Sequence, residues 1–355
     1  MKKQVTTICI CLLILAGSVH ANQAEAPLSG LKIIAVWSVD ATADGQVDSA
    51  VEQARSLGFN AVCWNTPLVC PACHKRDMKA FAIVCPLEKR PASRLQEIRT
   101  SERNLPGCDP DKIGPAEFYQ YGGEPADGNH EILDQNLTCP NDPGVVQYTM
   151  EQIIASREAG YDGIVFDFVG YRNYHSCECE ICTKKIREFS NKQTGISAAQ
   201  INKMYFGKVL VELYDTLYAA AKAVAPEMIV ANHIHPVFRP ETMYGLNVNT
   251  DYCGITVSWF FKPHWPLEKV EKYTKNTVCG PYRHKHARGM PMIGFYSDGA
   301  YERDRKSGSR LKQEFEILKQ VNAQHLLMCE LGHILRNPEA ADIVRAALTG
   351  NKEKE

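Results

Sequence analysis

The sequence predicts a single-domain (β/α)8 barrel. Eight short apolar runs rich in β-branched and aromatic residues recur along the chain, and amphipathic helical stretches separate them. The 355 residues, 45% hydrophobic and 23% charged, can fill one large core, with no repeats or low-complexity tracts. Eight strands alternating with helices is the count that closes a barrel rather than an open doubly wound sheet. No Gly-x-Gly-x-x-Gly follows the first strand and no phosphate-cradling lysine loop occurs, so a dinucleotide fold lacks its signature.

The predicted strands are residues 32–37, 61–65, 81–85, 163–168, 228–233, 254–259, 291–296 and 325–330. Helical patterns fall at 47–57, 145–159, 198–225, 267–274 and 309–322, with 338–348 closing the chain. Two connections are long, 86–143 after strand three and 170–197 after strand four. Loops after the C-terminal ends of barrel strands build the site, so both are expected to be functional excursions on that face. A loop helix is expected near 183–191, with Ile186 and Phe189 packing on the barrel rim.

Residues 1–21 read as a signal peptide: Lys2 and Lys3, an apolar run over 8–16, then Val19-His20-Ala21 before a cut at Asn22. The run is short of the ~20 residues that span a bilayer, which counts against an uncleaved anchor, and no other stretch is long enough. The expected organisation is therefore a barrel domain over 22–350 and a charged tail at 351–355, in a periplasmic or secreted protein. The formal charge of −1 becomes −3 without Lys2 and Lys3, and no interior run of five like charges occurs. Nucleic acid is not an expected partner.

Cys177-Glu178-Cys179-Glu180-Ile181-Cys182 places three thiols within six residues after strand four, and Cys139 lies upstream in Cys-Pro-Asn-Asp-Pro. Three such thiolates with a fourth from a neighbouring loop can make the S4 shell of structural zinc. The competing reading is disulfides, which an exporting compartment permits. Cys70-Pro71-Ala72-Cys73-His74 matches the pattern of covalent haem attachment, against a disulfide or second metal site with Cys63, Cys85 or Cys108, or buried free thiols. Haem is the weaker reading, because the predicted loop is short and has no apolar cradle for a porphyrin.

These residues carry a resemblance. A Cys-Pro loop before a helix, paired with Cys-x-Cys-x-x-Cys after strand four, resembles the cysteine cluster of family 42 β-galactosidases and of several uncharacterised glycoside-hydrolase-like barrels, where four such cysteines hold zinc. The resemblance implies Cys139, Cys177, Cys179 and Cys182 as ligands. Tyr161-Asp162-Gly163-Ile164-Val165-Phe166-Asp167, followed by Tyr171 and Arg172, is similar to the fourth strand of those barrels. Where family 42 carries an Asn-Glu acid/base, this chain has Asp167-Phe168.

Glycoside cleavage needs two carboxyl groups facing each other across the scissile bond. Asp167 is the best placed, since alternation sends it with Val165 to one face at the mouth; the other reading is a loop cap or a partner for Arg172. Asp162, ahead of the strand, reads as a turn residue. The second carboxyl group is Glu330, ending an apolar strand that would suit it to a general acid, or Asp298 after strand seven. His233 and His235 share one face of strand five, with His233 read as a sugar-binding or packed histidine; the competing reading is that both bind a catalytic metal, for which no third matching ligand is obvious. Trp37, Trp64 and Trp259 end strands where their rings could stack on a pyranose, at least one of them exposed, with Asn65, Tyr171, Arg172 and Tyr296 bonding hydroxyls. The expected function is a glycoside-hydrolase-like protein acting on carbohydrate through paired carboxylates. The alternatives are a non-catalytic carbohydrate-binding barrel with structural zinc and, third, a c-type haem protein.

Overall fold

The computed structural model describes residues 32–38, 44–97, 137–171, 176–234, 247–260, 264–280, 284, 286–297, 302 and 305–349. The expected signal segment (1–21) and charged tail (351–355), with Arg172, His235, Asp298 and Cys108, lie outside them. Eight parallel strands close a barrel in chain order: β1 (Ile34–Trp37), β2 (Ala61–Cys63), β3 (Lys79–Val84), β4 (Gly163–Phe166), β5 (Ile229–Ile234), β6 (Tyr252–Thr256), β7 (Arg288–Gly294) and β8 (Leu326–Cys329). β8 pairs back onto β1, with Trp37 opposite Cys329. The fold is the (β/α)8 barrel that the sequence predicts.

The strands read as continuous apolar runs because both of their faces are buried. Ile33, Ala35, Cys63, Phe81, Val165, Ala231, Tyr252 and Met290 point inward around the axis. Their neighbours in sequence point the other way, towards the helices. Gly163 is required where it stands, since a Cβ there would lie 2.5 Å from the Phe81 ring and 2.6 Å from the Ile229 carbonyl oxygen. β6 and β7 begin earlier than expected, at Tyr252 and Arg288, which are register partners. A cation is tolerated there because the Arg288 guanidinium sits 5.9 Å from the centre of the Tyr252 ring.

The helices are α1 (Asp44–Ser56), α2 (Val69–His74), α3 (Gly144–Glu158), α4 (Glu180–Ser190), α5 (Ala198–Val224), α6 (Leu267–Cys279), α7 (Gly308–Gln320), α8 (Leu331–Leu335) and α9 (Pro338–Thr349). α5 starts on a reciprocal capping box between Ser197 and Gln200. Sequence reasoning expected a short loop where α2 forms. The turn folds because Val69, Cys70, Ala72 and Cys73 are all buried. Arg76 just beyond it binds Asp48 at 2.7 Å and Glu52 at 2.6 Å, tying α2 to α1. α4 is the expected loop helix, but Phe189 packs on Tyr205 of α5, ring centres 5.6 Å apart, rather than on the rim. No helix among the described residues is long and apolar enough to cross a membrane.

Candidate active site and metal centre

Asp167 follows β4 on the inward face, two residues beyond Val165 and at the C-terminal mouth. Its amide donates to the Val84 carbonyl at 2.9 Å, so the strand ladder fixes its backbone. The side chain is buried, 8% exposed, and its Oδ1 accepts from the Phe168 amide at 2.9 Å and meets His233 Nδ1 at 3.0 Å. Oδ2 has no hydrogen-bond partner among the described residues. Phe168 holds φ +52°, a left-handed conformation that a bulky residue rarely takes. Strain of this kind concentrates where a side chain must be aimed.

Four further inward positions, His233, Thr256, Trp37 and Cys329, lie around this carboxylate. His233 on β5 reaches Thr256 on β6 through Nε2 at 2.8 Å and lies edge-on to Trp37, ring centres 5.9 Å apart. Both ring nitrogens are thus spent on protein groups. Cys329, at the end of the strand directly opposite β4 in the ring, lies 3.1 Å from the Tyr296 hydroxyl. Burial pushes the Cys329 thiol well up, the Tyr296 hydrogen bond opposes this, and the charges of Glu330 and Asp167 add to the rise. Both carboxylates therefore lie within electrostatic reach of one sulfur. Sequence reasoning did not single out Thr256; its position two residues after Gly254 on strand six was the available signal.

Glu330 is not displayed across the mouth in the way its strand-end position suggested. It is 1% exposed and is the N-cap of α8, where its Oε2 accepts from the His333 amide at 3.3 Å. The tryptophan expectation also needs correcting. Trp37, Trp64 and Trp259 are between 2% and 5% exposed, so they offer no open stacking face. Trp259 instead stacks on Phe260 at 5.0 Å. Tyr171 is buried away from the mouth, edge-on to Phe206, with its hydroxyl donating to the Phe206 carbonyl at 3.4 Å. Asn65 is exposed but its Oδ1 caps the Ile83 amide at 2.7 Å, and Tyr296 is half-buried at the mouth.

Cys139, Cys177, Cys179 and Cys182 converge, with all four sulfurs within 4.8 Å of one another and all four side chains buried. They are free thiols: the Cys139–Cys182 and Cys139–Cys179 separations of 3.3 and 3.5 Å are far beyond a disulfide bond. Such a cluster could hold a metal ion. Hydrogen bonding to Cys139 pulls Cys177 and Cys179 below the ordinary thiol range, towards the thiolate form that ligates metals, while bonds to those two and to Cys182 push Cys139 above it. Around them Asn141 donates to Cys182 Sγ and to the Tyr205 hydroxyl, both at 3.3 Å, and accepts from Lys185 Nζ at 2.9 Å. The cluster joins the two long excursions, and main-chain bonds reinforce it: Glu178 N to Glu97 O at 2.8 Å, and Cys139 N to Arg94 O at 2.8 Å.

The haem reading loses its footing, since Cys70 and Cys73 are 2% and 0% exposed inside α2 and His74 is held by Asp162 at 2.9 Å. Cys63 and Cys85 are likewise free thiols, without the disulfide weighed for them.

No protein-family model and no curated protein matches the sequence. Among solved structures, the chain is similar to the PgaB glycoside hydrolase domain from Bordetella bronchiseptica, with a TM-score of 0.55 and 11% identity over 90% of this chain and 99% of that one. It is similar to the catalytic domain of β-amylase from Paenibacillus polymyxa, TM-score 0.53 and 11% identity, again over 90% and 99%. The β-galactosidase of the psychrophilic Marinomonas ef1 matches at TM-score 0.56 and 8% identity over 89% of this chain, which spans 59% of that protein. The class this defines is the (β/α)8 barrel of glycoside hydrolases, as a fold.

Proposed function

We propose that this chain is an exported glycoside-hydrolase-like protein that cleaves a carbohydrate at the C-terminal mouth of its barrel, with Asp167 as nucleophile or base. The observation that carries this reading is the one-sided anchoring of Asp167: Oδ1 is tied to Phe168 N and His233, while Oδ2 is left for a reactant. A carboxylate fixed in this manner at a barrel mouth can attack an anomeric carbon or activate a water. The partner acid is Glu330 or Asp298, and productive chemistry sets it roughly 5 to 9.5 Å from Asp167. The neighbouring folds, a glycoside hydrolase domain and a β-galactosidase, support carbohydrate as the substrate class.

The four cysteines fit a structural zinc ion, whose ~2.3 Å bonds to four tetrahedral sulfurs put those sulfurs about 3.8 Å apart. The ion would fix the loops at the mouth and contribute no reacting group. The resemblance to family 42 supports the same assignment. Export rests on residues 1–21 and predicts a mature amino terminus at Asn22 in the periplasm or medium.

The test is Asp167→Asn assayed on a panel of aryl glycosides and oligosaccharides. It should abolish turnover and leave sugar binding and thermal unfolding nearly unchanged. Retention of wild-type turnover would sink the enzyme reading. One observation favours a second reading: Glu330 is engaged as a helix cap, which suits a barrel that binds carbohydrate without cleaving it. Sugar binding by the wild type with no turnover of any glycoside would select it.

A further inference from the structure

We propose that His233 is a positioning residue for Asp167, its Nδ1–H turned to the carboxylate and its ring held there by Thr256. The inference rests on the reading of Asp167 as the reacting carboxylate and assigns His233 a role other than binding sugar. Three consecutive strands supply the parts: Asp167 after β4, His233 on β5 and Thr256 on β6, all buried and all on inward positions.

The proton positions follow from the distances. Asp167 Oδ1 is only an acceptor, so at 3.0 Å Nδ1 must carry the hydrogen; an Nε2–H tautomer would set two lone pairs against each other. At the other edge, Nε2 lies 2.8 Å from Thr256 Oγ1, whose single hydrogen has two acceptors in reach, Nε2 and the Met292 sulfur at 3.8 Å. The hydroxyl can donate to Nε2, or accept from Nε2–H while donating to the Met292 sulfur, and either arrangement anchors that edge of the ring. A ring bonded at both ends cannot rotate or swap tautomers without leaving a buried polar atom unmade. Because His233 and Phe168 N both bind Oδ1, the lock fixes the carboxylate plane and directs Oδ2 away from them. Trp37, edge-on to the imidazole, closes the remaining side of the ring.

Misplacing a reacting group by about 1 Å can cost about 10²-fold in rate. His233→Ala should therefore lower kcat by about 10²-fold on whichever aryl glycoside the wild type cleaves, with little change in KM. His233→Asn, whose amide nitrogen falls near the place of Nδ1, should recover kcat to within about tenfold of wild type. Equal loss in both variants would mean that the imidazole itself transfers a proton, and would overturn the positioning role. A second arm needs no substrate: 15N spectra of histidine-labelled wild-type protein should show His233 carrying a proton on Nδ1, assigned by its absence from His233→Asn. A ring protonated on Nε2 alone would overturn the lock. A wild type that cleaves no glycoside defeats the reading of Asp167 as a reacting group, whereas the spectrum still decides the tautomer.

Discussion

The carboxylate of Glu314 on α7 lies 2.8 Å from the Lys306 ammonium, and neither side chain has any surface open to solvent. Ser258, just beyond β6, bonds both partners, donating to Glu314 at 2.6 Å and accepting from Lys306 at 3.0 Å; Arg310 adds a bond to Glu314 at 2.7 Å. The pair thus fastens the segment after β7 to the end of β6. Removing one member of a buried pair strands the other's charge, so Glu314→Gln should cost about 3–5 kcal/mol in urea unfolding. Lys306→Met should cost less, because Arg310 and Ser258 still satisfy Glu314.

The same lysine gives a dependence on pH. Burial lowers the Lys306 pKa, against the opposing pull of Glu314. The unfolded chain, with a lysine pKa of ~10.4, then binds that proton more tightly than the folded one. The Lys306 contribution to stability therefore rises with pH between the lowered folded value and ~10.4. Comparing wild type with Lys306→Met across alkaline pH should show that rise disappear; a difference that does not change with pH would contradict it.

Asp162 behaves in the opposite sense. Burial works to raise its pKa, but hydrogen bonds from Lys79, the Ala80 amide and His74 outweigh it and hold the carboxyl below its usual value. Its stabilisation is therefore complete above the unfolded value of ~3.9 and is lost as pH falls through the lower folded value. Unfolding of Asp162→Asn between about pH 2 and 5 should show a shallower acid limb than wild type. Equal limbs would leave Asp162 as the simple turn residue its sequence position suggested.

The thiol cluster should contain one zinc ion per chain by elemental analysis of protein purified without chelator. Cys179→Ser, or stripping with a strong chelator at mildly acid pH where thiolates reprotonate, should remove the ion and lower Tm. Among the described cysteines Cys279 alone is exposed. A thiol reagent should therefore label it ahead of the other described cysteines, with Cys139, Cys177, Cys179 and Cys182 reacting only after the metal is withdrawn. Their rapid labelling in untreated protein would argue against a bound ion.

Glu330 is tested as a helix cap and as an acid by two replacements. Glu330→Ala should cost about 1 kcal/mol, the usual value of an N-cap side chain. Glu330→Gln keeps an acceptor for the His333 amide and should keep that stability. If Glu330→Gln also keeps turnover, Asp298 becomes the acid to examine; a loss above about 10²-fold would restore Glu330 to the chemistry.

The sequence by itself determined the barrel, because strand runs and helix periods are written within a few residues and their number fixes closure. It also placed Asp167, since alternation from Val165 is a local rule, and it gathered three of the four clustered thiols within six residues. What only the tertiary structure decided are contacts between residues remote in sequence. Asp167 meets His233 across 66 positions and Cys139 reaches Cys182 across 43, separations to which no local pattern is sensitive. The burial of Tyr171 and the tryptophans, the turning of Glu330 onto α8 and the Lys306–Glu314 pair have the same origin. Each depends on which side chain from a distant strand or loop occupies the neighbouring space, and close packing settles that only once the ring of strands has closed.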